Sequence, residues 1–184
     1  MPDVRGTFQR DTMATACLLD VPPSRSIADE NLPKQDMTDI DIRALLREDE
    51  PEWRRLWTAY LTFYDSSVAE EVYATTFERL LSDDPWMPSS LVAEIGGKPV
   101  GLVHYIYHSH CWRTDRVCYL QDLFADPQMR GRGVGRALIE AVYEQADADG
   151  APSVYWLTQE HNRDARLLYD RIATLTPFIK YQRG

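Results

Sequence analysis

Three glycines within five positions, in the run Arg130-Gly131-Arg132-Gly133-Val134-Gly135, constrain this chain more than any other stretch. Glycine reaches left-handed backbone conformations without a Cβ clash, so such a run turns tightly and brings several N–H groups towards one point. The residues before it, Arg116 to Ala125, read as a strand. Those after it put Val134, Ala137, Leu138, Ala141 and Val142 on one helical face, with Gly150 where a C-terminal cap belongs. A glycine turn from strand into helix is an anion site, because the first helical N–H groups are unpaired and the dipole is positive there. Arg130 and Arg132 add positive charge at the same spot.

Two familiar phosphate loops are excluded by the residues present. One requires Gly-Lys followed by Ser or Thr, and here Gly135 is followed by Arg136-Ala137. The dinucleotide loop requires glycine at its first, third and sixth positions, and the sixth counted from Gly131 is Arg136. What remains is Arg-x-x-Gly-x-Gly, from Arg130 to Gly135.

The flanking periodicities supply the rest of the fold. Asp39 to Leu45 reads as a short strand, and Trp53, Leu56, Trp57, Tyr60 and Leu61 form a helical stripe. A second helix is predicted over 67–81, ended by Ser82-Asp83-Asp84-Pro85. Ser90 to Ile95 and Pro99 to His108 flank Gly96-Gly97 as a hairpin. After the helix that follows the glycine run come a strand, Val154 to Thr158, and a helix capped by Asn162 with Ala165, Leu168, Tyr169 and Ile172 inward. A last strand is expected over Phe178 to Gln182. The class is α/β, a mixed sheet with helices on both faces.

At 184 residues the chain has the length of one domain. Residues 1–36 show no period and contain Pro2, Pro22, Pro23 and Pro33, so they read as an irregular N-terminal extension to a domain over 37–184. Met13 and Met37 each offer an alternative start. A net charge of −9 repels phosphate backbones, which argues against nucleic acid, and attracts cations. Asp65, Glu70 and Glu71 could form an acidic rim for a cationic substrate. Cys17, Cys111 and Cys118 suit neither a disulfide framework nor a zinc site, and point to a reducing cytoplasm. No apolar run approaches a membrane span, and Asp3, Arg5, Arg10 and Asp11 interrupt any signal segment over 1–12. His104 and His108 share a strand face but stand about 13 Å apart at ~3.3 Å per residue, too far for one metal. With His110 they read as surface or cleft residues, and no metal is expected.

On the Arg130–Gly135 run, together with Asn162-x-x-Ala165-x-x-x-Tyr169 and the segment Leu123-Phe124-Ala125-Asp126-Pro127, the chain resembles the GNAT superfamily of N-acetyltransferases. The resemblance spans about 40–183. Gly150-x-Pro152-Ser153-Val154-Tyr155-Trp156, Leu167-Leu168-Tyr169 and Tyr181-x-Arg183 look like the fungal histone and polyamine acetyltransferase group. One departure is Ala173-Thr174, where the family commonly has Gly-Phe or Gly-Tyr.

The resemblance implies the GNAT three-layer fold and acetyl-CoA as the acetyl donor. It places the coenzyme against Leu123, Phe124, Ala125, Met129, Arg130, Gly131, Arg132, Gly133, Val134, Gly135 and Arg136, with Asn162 and Tyr169 opposite. The reaction it implies is direct attack of a neutral amine on the thioester carbonyl. That chemistry needs an oxyanion donor, an acid for the leaving thiolate and a base for the amine. A backbone N–H at a bulge near Leu123 to Ala125, with Phe124 the preferred donor, would serve the oxyanion. Tyr169 matches the family's acid. Gln121 stands where some polyamine acetyltransferases carry a glutamate, so Asp122, Glu160 or a water that shuttles the proton out are the candidate bases. Asp122 should point to the opposite strand face from Gln121 unless a bulge turns it. The acceptor implied is a small-molecule amine, a polyamine or amino acid. Acetylation of protein or histone lysine, or acetyl-CoA sensing without turnover, are the alternatives. A homodimer joined through Phe178 and Tyr181 is expected from related enzymes.

Overall fold

The computed structural model of the protein describes residues 40–183. The expected extension, 1–36, lies outside the described residues, as does the proposed start of the first strand at Asp39. Among the described residues the strands β1 (Asp41–Ala44), β2 (Ser89–Ile95), β3 (Lys98–His108), β4 (Val117–Ala125) and β5 (Ser153–Trp156) form one sheet in sequence order. The first four run antiparallel, and β5 lies parallel to β4. That parallel step requires a crossover, which the helix α3 (Val134–Ala148) provides.

The helices divide between the two faces. Leu138, Ile139, Val142 and Ala146 of α3 pack on Val103, Tyr105, Cys118 and Leu120. The partly buried Leu168, Tyr169 and Ile172 of α4 (Arg163–Ile172) join the same cluster. On the opposite face α1 (Glu50–Phe63) and α2 (Glu70–Leu80) bring Trp53, Leu56, Trp57, Phe77 and Leu80 against Val92 and Leu102. Gly101 lets β3 lie this close to α3. A Cβ there would sit 2.7 Å from the Val134 Cγ1 and 3.0 Å from the Phe124 carbonyl oxygen.

One expected element does not form. Phe178 to Gln182 is no strand, and Phe178, Ile179 and Tyr181 are more than two-thirds exposed. The segment has strand-like residues, but no strand among the described residues pairs with it, and β character depends on that pairing. No helix of the described residues is long and apolar enough to cross a membrane.

Candidate active site

The site begins where β4 loses a neighbour. Val117 to Leu120 pair with β3 on one side and with Ser153 to Trp156 on the other. β5 ends at Trp156, while β4 runs on to Ala125 with β3 alone. Which N–H groups open into the gap follows from the ladder. Asp126 donates its N–H to the Val100 carbonyl at 2.8 Å, so Asp126 faces β3. Antiparallel strands alternate, so Phe124 also faces β3, and Leu123 and Ala125 turn their N–H groups to the open side. The expectation that Phe124 supplies the free donor is therefore corrected: its carbonyl, too, lies against Gly101. Leu123 and Ala125 hold that position instead.

The bulge also sits earlier than expected. His104 pairs with Asp122 and Tyr105 with Leu120, so Gln121 is the extra, unpaired residue. Inserting one residue flips the faces beyond it. Cys118 and Leu120 face α3, but past the bulge Leu123 and Ala125 do, which sends Asp122 and Phe124 towards α1. Gln121 is exposed and Asp122 is buried.

Asp122 lands in a buried polar chain. Its Oδ2 lies 2.9 Å from His104 Nδ1, and Trp53 Nε1–H donates to His104 Nε2 at 2.9 Å. His104 is 3% exposed, which overturns its reading as a surface or cleft residue. Tyr60 of α1 faces the same carboxylate. Its phenol is pushed well above the ordinary range, first by burial and then by the Asp122 charge. Tyr119 is raised by burial, with Tyr155 and Asp122 adding to it.

Across the gap stands α4. Burial pushes the Tyr169 phenol up to about 12, with Tyr64 a lesser cause, so it carries its proton at neutral pH. Its ring meets Trp156 edge-on at 5.2 Å. Burial raises Tyr64, while Asn162 and Thr158 beside it pull the other way. Asn162 does occupy the position before α4, but its side chain makes no capping bond. Its Nδ2 instead donates to Thr158 Oγ1 at 3.2 Å, and only its carbonyl receives a helical N–H, from Arg166. Glu160 is exposed in the same loop, and its carbonyl accepts from Arg166; nothing brings its carboxylate to Asp122.

The glycine turn lies at the end of β4, past a short 3-10 turn over Pro127–Met129. Gly131 and Gly133 adopt φ of 77° and 86°, and a Cβ at either would meet nothing within 4 Å. These glycines serve the backbone conformation and leave open space in front of it. The N–H groups of Val134, Gly135 and Arg136, in the first turn of α3, have no intrahelical acceptor. Arg130 and Arg132 are exposed at this mouth, Arg132 donating to the Met129 sulfur at 3.6 Å, and Arg136 donates to Glu140 at 2.7 Å. Free N–H groups, arginine charge and open space fit a pyrophosphate. A Cβ at Gly135 would stand 3.6 Å from Leu168 of α4, so the turn lies close to the helix that bears Tyr169.

The acidic rim is partly neutralised, since Arg54 bridges Glu70 at 2.9 Å and Glu50 at 2.9 Å. Among the described residues no group of three His, Cys, Asp or Glu side chains could hold a metal. Sequence reading takes His104 for a surface or cleft residue and Trp53 and Tyr60 for packing, and does not single out Tyr64. The one local signal was a histidine in the otherwise apolar run Val103 to Tyr107.

This arrangement, a strand parting from its neighbour over a glycine turn, defines a class. The Acetyltransferase (GNAT) family profile matches residues 43–173, and the chain belongs to that family as an N-acetyltransferase. It is 36% identical to the D-amino-acid N-acetyltransferase HPA3 of Saccharomyces cerevisiae over 146 residues, 79% of this chain and 91% of that protein. It is 30% identical to the thialysine N-epsilon-acetyltransferase of Caenorhabditis elegans over 81 residues, 44% of this chain and 50% of that protein. Among solved structures, the aminoglycoside N-acetyltransferase AAC(6')-Iy in complex with CoA superposes with a TM-score of 0.68 at 20% identity, covering 79% of this chain and 94% of that one. At that identity the likeness concerns the fold.

Proposed function

We propose that the enzyme transfers acetyl from acetyl-CoA to a primary amine of a small molecule, an amino acid or a polyamine. The observation that carries this reading is the open edge of β4, where the Leu123 and Ala125 N–H groups lie between the glycine turn and Tyr169. The turn over Met129 to Gly135 and the first N–H groups of α3 would hold the pyrophosphate, and the β4 edge the pantetheine arm. The amine attacks the thioester carbonyl, and the Leu123 N–H meets the oxygen that gains charge. As the C–S bond breaks, Tyr169 gives its proton to the departing thiolate. The amine's surplus proton passes to Asp122.

Membership of the fungal histone and polyamine acetyltransferase group is supported by the same C-terminal motifs, while the yeast relative, whose name specifies D-amino acids, supports the amino-acid acceptor. A cytoplasmic enzyme agrees with the use of acetyl-CoA. For the homodimer, the support is the exposed Phe178, Ile179 and Tyr181 beside a groove of about 1060 Å³ along the outer edge of β5. Light scattering at micromolar concentration should give twice the chain mass, and Phe178→Asp with Tyr181→Asp should halve it.

Turnover read as thiol release, across L- and D-amino acids, polyamines, aminoglycosides and a histone-tail peptide, tests the activity. One small-amine class should exceed background hydrolysis, and Tyr169→Phe should slow it by about ten-fold or more, some 1.4 kcal/mol of barrier. Acetyl-CoA binding with no turnover of any amine would replace the enzyme reading with a sensor, and turnover of the histone peptide alone would move the substrate to protein lysine.

A further inference from the structure

We propose that His104 is a positioning residue, a neutral imidazole locked in one tautomer that holds Asp122 as the proton acceptor of the reaction. The inference rests on the acetyl-transfer reading above and assigns the geometry of its base.

Three polar side chains lie in one row across the sheet, for Ser90 pairs with His104 and His104 with Asp122. They are 4%, 3% and 8% exposed, beneath Trp53 and Trp57. Buried polar groups of this kind cost stability unless each is partnered. An indole N–H can only donate, so the Trp53 bond at 2.9 Å requires a lone pair on His104 Nε2. The ring proton is therefore on Nδ1, from which it donates to Asp122 Oδ2. Protonating Nε2 as well would turn two donors on each other inside the core.

The lock separates the roles of the pair. His104 cannot take the amine's proton without breaking the Trp53 bond, while Asp122 keeps the His104 donor at its Oδ2. Oδ2 is engaged by His104, and the Tyr60 phenol also hydrogen-bonds the carboxylate, so the amine approaches between His104 and Tyr60. The Asp122 side chain retains 11% exposure, enough for one oxygen edge to be reached. The bulge at Gln121 makes this possible, because without it Asp122 would face α3. The groups facing Asp122 are His104 from β3, Tyr119 from its own strand, Tyr60 from α1 and Tyr64 just past the end of α1. Those facing His104 are Trp53 and Trp57 from α1, Ser90 from β2 and Asp122 from β4.

The test pairs spectroscopy with kinetics on the full chain. Histidine 15N spectra at neutral pH should give His104 as the Nδ1-protonated ring with Nε2 accepting; an Nε2-protonated or doubly protonated ring overturns the proposal. His104→Leu should lower kcat by about ten-fold or more while acetyl-CoA KM stays within about two-fold. His104→Asn, whose amide N–H can stand in for Nδ1–H, should restore most of the rate. Should His104→Leu fail to fold, the Asn variant still decides: a kcat lowered as far as about ten-fold sinks the idea. Wild-type turnover with an unchanged His104→Leu kcat overturns this proposal alone, whereas no wild-type turnover overturns the acetyl-transfer reading with it.

Discussion

The sheet face under α3 is lined by Val103, Tyr105, Cys118 and Leu120 and meets Leu138, Ile139 and Val142, all but Tyr105 apolar. The face under α1 carries Val92 and Leu102 as well, but between them runs the buried row Ser90, His104 and Asp122, and at its edge Arg43 clasps Asp49. Both faces exclude water. One does so with close-packed hydrocarbon, and the other holds ionisable groups in fixed orientation beside the gap in β4. The first is built to hold the sheet together. The second gives up hydrophobic area for a carboxylate that chemistry can use.

The largest effect expected from breaking that contrast is on the apolar side. Leu138→Ala should cost about 2–5 kcal/mol in denaturant unfolding, since the side chain is fully buried and the cavity collapses only in part. Turnover per folded molecule should barely change; a large loss of turnover without loss of stability would show that the division between the faces is wrong. The polar side should answer to acid. Asp49 takes two bonds from Arg43, at 2.6 and 2.8 Å, and these hold its carboxyl below the usual range. A lowered folded value means that the stabilisation is present above the ordinary carboxylate value of about 3.9 and is lost as pH falls through the folded one. The thermal midpoint should therefore drop below about pH 4, and Asp49→Asn should flatten that drop while costing about 1.5–3 kcal/mol at neutral pH. The smallest effect sharpens the comparison. Ser90 Oγ is buried without a hydrogen-bond partner among the described residues. Ser90→Ala should be neutral or stabilising by up to about 1 kcal/mol, measured by chemical denaturation, and should leave turnover intact. A loss greater than that would mean the hydroxyl belongs to the His104 chain.

The Arg130–Gly135 turn was legible from composition alone, because φ of 77° and 86° are conformations that glycine adopts at little cost. The stripe Trp53, Leu56 and Trp57 was legible from its spacing, as was the Gly96-Gly97 hairpin. Tyr169 and Asp122 could be singled out by motif and by residue type. The identity of the β4 donor could not, since it depends on which side of the strand β3 occupies. The bulge could not either: nothing in Leu120-Gln121-Asp122 says which residue the ladder will omit. The C-terminal strand was over-read, because strand-like residues do not supply a partner.

The sequence by itself determined the order of strands and helices as far as α4, the conformation of the glycine turn and the chemistry available at each position. These depend on φ/ψ limits and on periodicity within a few residues. Only the tertiary structure decided that Gln121 would bulge, that Asp122 would meet His104 and Trp53, and that Leu123 rather than Phe124 would face the gap. Those outcomes are fixed by register and packing between segments up to 69 residues apart, from Trp53 to Asp122, where the energy lies in satisfying buried donors and acceptors that no local window contains.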